Sequence, residues 1–361
     1  MYIWPNVDKT NHVDLTPYDS IQVRIVDDLE TKPEEILIGM NQRDQRLHDV
    51  YRLNVITGKI DVIAENPGNI SSWQTDHDGK LRLAFTADGV NTSMLYRPTE
   101  NDTFRVILTT DFREEVNPLF FTFDNKDLYV SSNRNSDKSA LYKFDIESAS
   151  ETELIFEHDR VDISWAMYSK KRKVLTGVSS YTEKMEYHFF DKWRKNIQND
   201  LENKLPNVEV RLIDLDENEI MALVRTFSDK TRGSYYLYNT ITKELNKLAD
   251  ISPWLDPNKM ADMEPISYTS RDGLTINGYL TFPKNSSRIN LPVIINPHGG
   301  PWARDYWGFN SQVQFLANRG FAVLQMNFRG STGYGRQFWE MSFKQWGKSM
   351  QDDVTDGVQW L

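Results

Sequence analysis

The sequence contains no cysteine, which excludes disulfide bonds, thiolate metal ligands and a cysteine nucleophile. It also lacks an apolar run long enough for a membrane-spanning helix, which needs about 20 apolar residues. Basic residues number 42 and acidic ones 52, so the net charge is −10. An acidic chain repels phosphate backbones, which argues against a nucleic-acid partner. The six histidines show no paired metal-ligand spacing, so we expect no metal site. No other cofactor is implied by the sequence.

The N-terminal stretch MYIWPNVDKTNH has no basic region followed by an apolar region, so it does not resemble a signal peptide. We therefore expect a cytoplasmic protein without a membrane partner. A periplasmic or secreted location stays open, because Met1 need not be the natural start of the protein. The sequence does not decide the oligomeric state, and a homo-oligomer stays open.

What the sequence does contain is a repeat in its first 250 residues. Its length of 361 residues and 39% hydrophobic content allow two domains with apolar cores. Turn-like dipeptides recur at steps of 46 residues, and a strand-like apolar run follows each one. The five turns are Lys32-Pro33, Asp78-Gly79, Asp124-Asn125, Lys170-Lys171 and Asp216-Glu217.

A second series of tyrosines has nearly the same period, with steps of 45 to 49 residues. Its members are Tyr51, Tyr96, Tyr142, Tyr187 and Tyr236. A period of this length with several short strands is typical of a β-propeller blade. We predict an all-β propeller of about five blades over residues 1–255. Tyr2 precedes Tyr51 by 49 residues, so the propeller is expected to be incomplete at its N-terminus.

One insertion interrupts the repeat. Trp193, Ile197, Leu201 and Leu205 lie four residues apart and are followed by Pro206, which predicts a helix with one apolar face. Such a helix either packs on the surface of the domain or binds a partner.

A different pattern begins after residue 255. The segment ISYTSRDGLTINGYLTFP predicts a β-hairpin that turns at Asp272-Gly273. VIINP and FAVLQMNF are continuous apolar runs that predict buried strands, and NSQVQFLANRG between them predicts a helix. A further helical pattern leads up to Leu361. Strands alternating with helices indicate the start of an α/β sheet over residues 256–361.

Motifs in this second part resemble the α/β-hydrolase domain of the prolyl oligopeptidase family of serine peptidases. The resemblance is closest to its acylaminoacyl-peptidase and dipeptidyl-peptidase-like members. The motifs are SRDGLTINGYLTFP, NPHGGP, NFRGSTGYGRQF and QDDVTDGVQWL. The resemblance implies a propeller that covers the active site of the hydrolase. It also implies that the serine, aspartate and histidine of the catalytic triad lie after Leu361, so that the chain is truncated before the nucleophile elbow.

The glycines of NPHGGP have an expected chemical role. Acyl transfer builds negative charge on a carbonyl oxygen, and backbone N–H groups directed at that oxygen stabilise it. The resemblance implies that the amide of Gly300 is one oxyanion donor, with Gly299 giving the loop its geometry. It implies a structural role for His298, because the family places its catalytic base near the C-terminus.

Ser331 in RGSTGYG is not expected to be a nucleophile, because it lacks the G-x-S-x-G pattern of an elbow, and the chain contains no such pattern. Trp302, Tyr306 and Trp307 form either a wall of the substrate pocket or packing between the two domains. Two interpretations likewise stay open for Arg304, Asp305 and Arg329. These side chains either form structural ion pairs or bind one end of a substrate.

The sequence thus predicts part of a serine peptidase that hydrolyses short peptides or acyl-peptides through an acyl-enzyme. This chain would supply the propeller gate and half of the oxyanion hole, and would be inactive alone. One alternative is a non-catalytic propeller module that binds peptides or protein partners. Another is an esterase for small acyl esters.

Overall fold

The computed structural model describes residues 13–361 and the backbone of residues 2–3. Residue 1 and residues 4–12 lie outside the described part, as does most of the stretch in which no signal peptide was found. Tyr2–Ile3 (β1) pairs antiparallel with Val13–Asp14 (β2). Among the described residues, no helix combines the length and the apolar character that crossing a bilayer requires.

Between residues 23 and 250 the chain forms five consecutive antiparallel sheets, in which strands adjacent in sequence are neighbours. The fourth sheet has three strands and the others have four. In chain order the strands are Val23–Asp27 (β3), Glu35–Asp44 (β4), Leu47–Asn54 (β5), Ile60–Ala64 (β6); Ile70–Thr75 (β7), Leu81–Ala87 (β8), Asn91–Tyr96 (β9), Arg105–Asp111 (β10); Val116–Phe121 (β11), Leu128–Ser132 (β12), Ala140–Asp145 (β13), Ser150–Phe156 (β14); Ile163–Ser169 (β15), Val174–Tyr181 (β16), Met185–Phe189 (β17); and Glu209–Leu215 (β18), Met221–Phe227 (β19), Ser234–Asn239 (β20), Leu245–Asp250 (β21).

The two sequence repeats mark the second and third strands of these sheets. The runs that follow the turns form β4, β8, β12, β16 and β19, and the tyrosines lie in β5, β9, β13, β17 and β20. These inner strands hold the apolar residues of the sheets: Leu37 and Leu83 are fully buried, whereas the last strand, β21, is mostly exposed. The sequence repeat therefore arises from the buried inner strands of the sheets.

Turns one repeat apart contact each other. The Asn125 side-chain amide donates to Asp78 Oδ2 at 3.0 Å, and Arg172 Nε donates to Glu219 Oε2 at 2.8 Å, each pair being 47 residues apart. Since equivalent turns meet in this way, the sheets of each of these two pairs lie side by side.

The inserted segment forms the helix Lys192–Lys204 (α1), which the Asp191 side chain caps by accepting from the Arg194 amide. Ile197 and Leu201 on its apolar face are fully buried against the fifth sheet, where Val224 belongs to the same cluster. The apolar stripe therefore packs within the protein.

The last sheet has the strand order Met263–Thr269 (β22), Thr275–Thr281 (β23), Ala322–Asn327 (β25) and Val293–Ile295 (β24), and its helices are Ser311–Ala317 (α2), Arg336–Glu340 (α3) and Ser349–Trp360 (α4). The hairpin β22–β23 is antiparallel, and β24 pairs parallel with β25. All side chains of β25 are buried, as expected for an inner strand. The prediction that β24 is buried on both faces is not met, because β24 is the edge strand of the described sheet and its residues are exposed or half-buried.

The chain divides into two compact units. The described residues up to 134 form one together with residues 142–154, and residues 135–141 and 155–361 form the other. All residues of the candidate site described below belong to the second unit. The predicted domain boundary near residue 255 coincides with the change in sheet type and stays a prediction.

Within the second unit, Asp356 fixes α4 to the β22–β23 hairpin. Its carboxylate accepts from Arg271 Nη2 at 2.7 Å, from the Arg271 backbone amide at 2.7 Å and from Ser270 Oγ at 2.9 Å. These hydrogen bonds, led by that of the Arg271 side chain, lower the pKa of Asp356 to about 2 from an ordinary value of 3.8. The ionised carboxylate is thus stabilised in the folded state.

This shift predicts a specific loss of stability in acid. Because the pKa is lowered on folding, the contribution of Asp356 is complete above about pH 4 and disappears as the pH falls toward about 2. We expect Asp356→Asn to be less stable than the unsubstituted protein at pH 5, with the difference shrinking as the pH falls. Urea unfolding at several pH values measures it. Glu264→Gln, which breaks the half-exposed pair with Arg288, is the control, and an Asp356→Asn difference independent of pH would contradict the assignment.

Candidate functional site: the glycine loop after β24

The loop that follows β24 carries the two glycines of NPHGGP. Gly300 has a φ of 132°, and the Gly300–Pro301 peptide bond is cis. A Cβ on Gly300 would lie 2.8 Å from the backbone nitrogen of Trp302, so this position requires glycine. Gly299 differs, because a Cβ added there would have no atom within 4 Å. The loop therefore has one glycine set by backbone geometry and one facing open space.

His298 holds this loop against the segment after β25. Its Nε2 lies 2.9 Å from Ser331 Oγ and its Nδ1 lies 3.0 Å from the carbonyl oxygen of Gly299. The imidazole stacks on Phe328, with the ring centres 4.6 Å apart. The structure thus brings together His298, which was expected to be structural, and Ser331, which was not expected to be a nucleophile.

A serine in contact with a histidine resembles a nucleophile and its base, but the surroundings of Ser331 argue against this role. Ser331 is fully buried, and its hydroxyl also donates to the Phe328 carbonyl at 2.7 Å. A hydroxyl has one proton, so when it donates to Phe328 it can only accept from His298 Nε2. The Phe328 carbonyl therefore competes with His298 Nε2 for the single Ser331 proton, and with the serine fully buried the contact serves to fasten the loop.

The three predicted aromatic residues differ in their exposure. Trp302 and Tyr306 are more than half exposed, at 55% and 52%, whereas Trp307 is buried. Trp307 donates from Nε1 to the Met263 carbonyl at 2.9 Å, and its own carbonyl accepts from Tyr181 at 2.9 Å. Trp302 and Tyr306 are therefore the more accessible of the three to a ligand, whereas Trp307 is held in place by packing and hydrogen bonds.

Arg304 is buried, and its hydrogen bonds connect its own loop to two other segments of the chain. Its guanidinium donates to the carbonyls of Tyr181 and Thr182, both at 3.2 Å, and to the Tyr334 hydroxyl at 2.8 Å. Burial raises the pKa of Tyr181 to about 12, and it also raises that of Tyr334, so both stay neutral at physiological pH. The Nε of Arg304 is buried and has no hydrogen-bond partner among the described residues.

Arg329 forms the structural ion pair that was one of the two interpretations of the sequence. It donates to Asp353 from Nε at 2.8 Å and from Nη2 at 2.7 Å, and Nη1 lies 2.8 Å from Asp272 Oδ2. Asp353 is fully buried in this pair. These contacts occupy the guanidinium, so it is not free to bind a substrate end, and they raise the pKa of Arg329.

The environment of Asp305 was not anticipated. Gln325 donates to its Oδ1 at 2.8 Å, and Asn327 Oδ1 accepts from its backbone amide at 2.7 Å, while its Oδ2 is buried without a hydrogen-bond partner among the described residues. Burial raises the pKa of the Asp305 carboxyl. One signal was present in the sequence, since Gln325 and Asn327 are polar residues two apart in the apolar run FAVLQMNF.

No group of three or more His, Asp or Glu side chains in the described part of the chain could hold a metal ion. The groups that could bind or react with a ligand are therefore the backbone amides, the aromatic side chains, Arg304 and Asp305.

Comparison with known proteins shows which sequences and folds this chain resembles. The model of the prolyl oligopeptidase family matches residues 307–361. Dipeptidyl aminopeptidase BIII of Pseudoxanthomonas mexicana is 30% identical over 96% of this chain and 51% of its own length. Dipeptidyl peptidase family member 6 of Caenorhabditis elegans is 27% identical over 98% of this chain and 52% of its own length. The chain thus spans about half the length of these curated relatives.

Solved structures give the same result for the fold. A structure from a study of two prolyl endopeptidases covers 98% of this chain with a TM-score of 0.66 at 16% identity, and this chain covers 53% of it. A puromycin hydrolase covers 95% with a TM-score of 0.66 at 15% identity, and this chain covers 56% of it. The fold and the matched sequences are those of serine peptidases. Within that class, the chain belongs to the prolyl oligopeptidase family.

Proposed function

We propose that this chain is part of a serine peptidase that hydrolyses short peptides or acyl-peptides through an acyl-enzyme. The observation that carries the proposal is the backbone of Gly300, whose positive φ lets the main chain turn in the loop that follows β24. An amide fixed there can donate to the oxyanion of a tetrahedral intermediate. The second donor would come from the residue after the nucleophilic serine.

The proposal also assigns the two domains of the chain. The five sheets between residues 23 and 250 have the meander order of propeller blades, and we assign residues 1–255 to a propeller that is incomplete at its N-terminus. The parallel pair β24 and β25, connected through α2, supports the start of an α/β-hydrolase domain in residues 256–361. A propeller in front of a hydrolase would admit short peptides and hold back folded proteins.

Under this proposal the chain supplies one oxyanion donor and no member of the triad. The burial of Ser331 and its bond to the Phe328 carbonyl argue against it as the nucleophile. Trp302 and Tyr306, which are exposed, would form part of the substrate pocket. The 361-residue chain is then inactive by itself, and hydrolysis requires the rest of the protein.

A fluorophosphonate probe tests the proposal, because it labels the activated serine of such enzymes. We expect the complete protein encoded in the natural reading frame to be labelled at one serine outside these 361 residues. It should hydrolyse a dipeptidyl or N-acyl-aminoacyl p-nitroanilide more efficiently than p-nitrophenyl acetate. We expect no labelling of the 361-residue chain.

Three results would redirect the proposal. Labelling of Ser331 would overturn the structural role given to it. A complete protein that is neither labelled nor active would favour a non-catalytic propeller module. A preference for the simple ester over both peptide substrates would favour an esterase.

A further inference from the structure

A cavity of about 370 Å³ lies in the second unit, beside the loop after the glycines. Two parts of the chain line it. One is residues 304–310 with Gln325, and the other is β19 and the turn after it, with Arg225, Phe227 and residues 231–232. Four of the lining side chains are aromatic, those of Phe227, Tyr306, Trp307 and Phe309. A cavity of this size with aromatic walls and a few polar groups is suited to a small ligand.

The carboxyl and amide oxygens of the lining are either paired or out of reach. Asp305 Oδ1 accepts from Gln325 Nε2 at 2.8 Å, and both Asp305 Oδ2 and Gln325 Oε1 are buried from water. Asn310 Oδ1 accepts from the backbone amides of Gln312 and Val313, at 3.0 and 3.2 Å, at the start of α2. A ligand in the cavity therefore meets few free acceptors among these side chains.

Several side-chain donors of the lining, in contrast, are unpaired and reachable. The Arg225 side chain has no hydrogen bond or ion pair among the described residues, and only its Nε is buried, so water reaches Nη1 and Nη2. Arg232 is exposed, and its guanidinium contacts Ser252 Oγ at 3.4 Å. The Asn310 NH₂ group and the Thr231 hydroxyl likewise have no acceptor in the part of the chain that the structure describes. The open space is thus lined by donors.

The positive charge of Arg225 is not neutralised by the protein. Arg211 in β18 lies directly opposite Arg225 in β19, and neither has a carboxylate within 4 Å among the described residues. The Arg211 guanidinium lies 5.5 Å from the centre of the Phe227 ring, beside the cavity. Like charges directly opposite each other destabilise a sheet. In a chain with a net charge of −10, arginines without acidic partners point to an anionic ligand.

The lining also restricts the kind of anion. A carboxylate can accept two parallel N–H bonds from one guanidinium, which suits an arginine with both Nη atoms free. Asp305 adds a carboxyl group to the lining, and its ionised form would repel a ligand with two negative charges, such as a phosphate. The aromatic walls favour an apolar group next to the charge.

We propose that this cavity binds the carboxylate of a small apolar acid at Arg225 and Arg232, with the apolar part against the aromatic walls. Such a carboxylate occurs in N-acyl amino acids and at the C-terminus of short peptides. In a peptidase the site would favour short substrates with a free C-terminal carboxylate, a consequence that rests on the proposed function. Binding itself requires neither the catalytic serine nor turnover, so its outcome is independent of fluorophosphonate labelling.

Calorimetric titration of the complete protein with four probes identifies the ligand. N-Acetyl-L-phenylalanine carries a carboxylate beside an aromatic side chain, and N-acetyl-L-phenylalaninamide lacks only the charge. We expect the acid to bind and the amide to bind at least about tenfold more weakly, because the amide offers the arginines no anion. Hydrocinnamate lacks the acylated nitrogen, so weaker binding of hydrocinnamate than of N-acetyl-L-phenylalanine identifies a peptide end, and equal binding identifies a simple apolar acid. Phenyl phosphate should bind more weakly than hydrocinnamate.

Substitutions locate the site. Arg225→Met should weaken N-acetyl-L-phenylalanine binding about tenfold or more, and Arg225→Lys should weaken it less, because lysine keeps the charge and loses the paired donors. Arg232→Met should also weaken binding, and it replaces an exposed side chain. Arg319→Met is the matched control, since Arg319 is exposed in the same unit and does not line the cavity, and it should leave binding unchanged.

Several results would overturn the proposal. One is the absence of binding heat for N-acetyl-L-phenylalanine and hydrocinnamate at millimolar concentration. Another is the amide binding as tightly as the acid, which would indicate an apolar pocket without a role for the arginines. Tighter binding of phenyl phosphate would indicate a phosphate site. Binding by Arg225→Met and Arg232→Met equal to that of Arg319→Met would place the ligand elsewhere, and the probe series on the unsubstituted protein gives an answer even if Arg225→Met does not fold.

Discussion

Arg329→Met is expected to lower the free energy of unfolding by about 3–5 kcal/mol, the typical cost of removing one partner of a buried ion pair. Asp353 would be left fully buried, without the two hydrogen bonds that it receives from the guanidinium. The Arg329 side chain is 8% exposed, so water cannot replace it without opening the structure. Denaturant unfolding followed by tryptophan fluorescence measures the change.

The matched control is Arg288→Met. Arg288 also pairs with a carboxylate at 2.7 Å, that of Glu264, but both side chains are about half exposed. Exposed pairs contribute about 0–1 kcal/mol, so this variant should unfold close to the unsubstituted protein. Equal effects of the two substitutions would show that Arg329 does not hold α4 to the sheet, and its role as a possible substrate contact would reopen.

The fold was predictable from the sequence where buried strands repeat. Leu37 and Leu83 belong to inner strands, whose apolar residues and preceding turns recur at a fixed spacing. The outer strand Leu245–Asp250 escaped prediction because it is mostly exposed and carries few apolar residues. The strand VIINP was expected to be fully buried, and its exposure depends on which neighbours it has in the sheet. The composition of the strand does not contain that information.

Part of the candidate site was likewise predictable from the sequence, and part was not. The backbone geometry of Gly300 follows from its own motif, because two glycines and a proline after a strand are a local signal. The contact between His298 and Ser331 depends on topology, since the two residues lie 33 positions apart. They meet because β24 and β25 are parallel neighbours, so the loops that leave their carboxyl ends begin at the same edge of the sheet.

Gly300→Ala and Gly299→Ala form a matched pair with opposite expected outcomes. In the complete protein, Gly300→Ala keeps the backbone N–H but should displace it, and so should lower kcat by about 10²–10³-fold, the usual cost of losing one oxyanion donor. It should also lower the melting temperature, because alanine is strained at a φ of 132° and its Cβ would lie 2.8 Å from the Trp302 nitrogen. Gly299→Ala adds a methyl group where no atom lies within 4 Å, so its melting temperature should be unchanged.

The activity of the second variant then shows what the open space at Gly299 is for. If substrate occupies that space, Gly299→Ala should raise KM at an unchanged melting temperature, whereas Gly300→Ala acts mainly on kcat. Steady-state kinetics on a p-nitroanilide substrate, with thermal unfolding of both variants, separates the two effects. A Gly300→Ala enzyme with the kcat of the unsubstituted protein would exclude the Gly300 amide as an oxyanion donor, because the strained loop could not keep that amide in place.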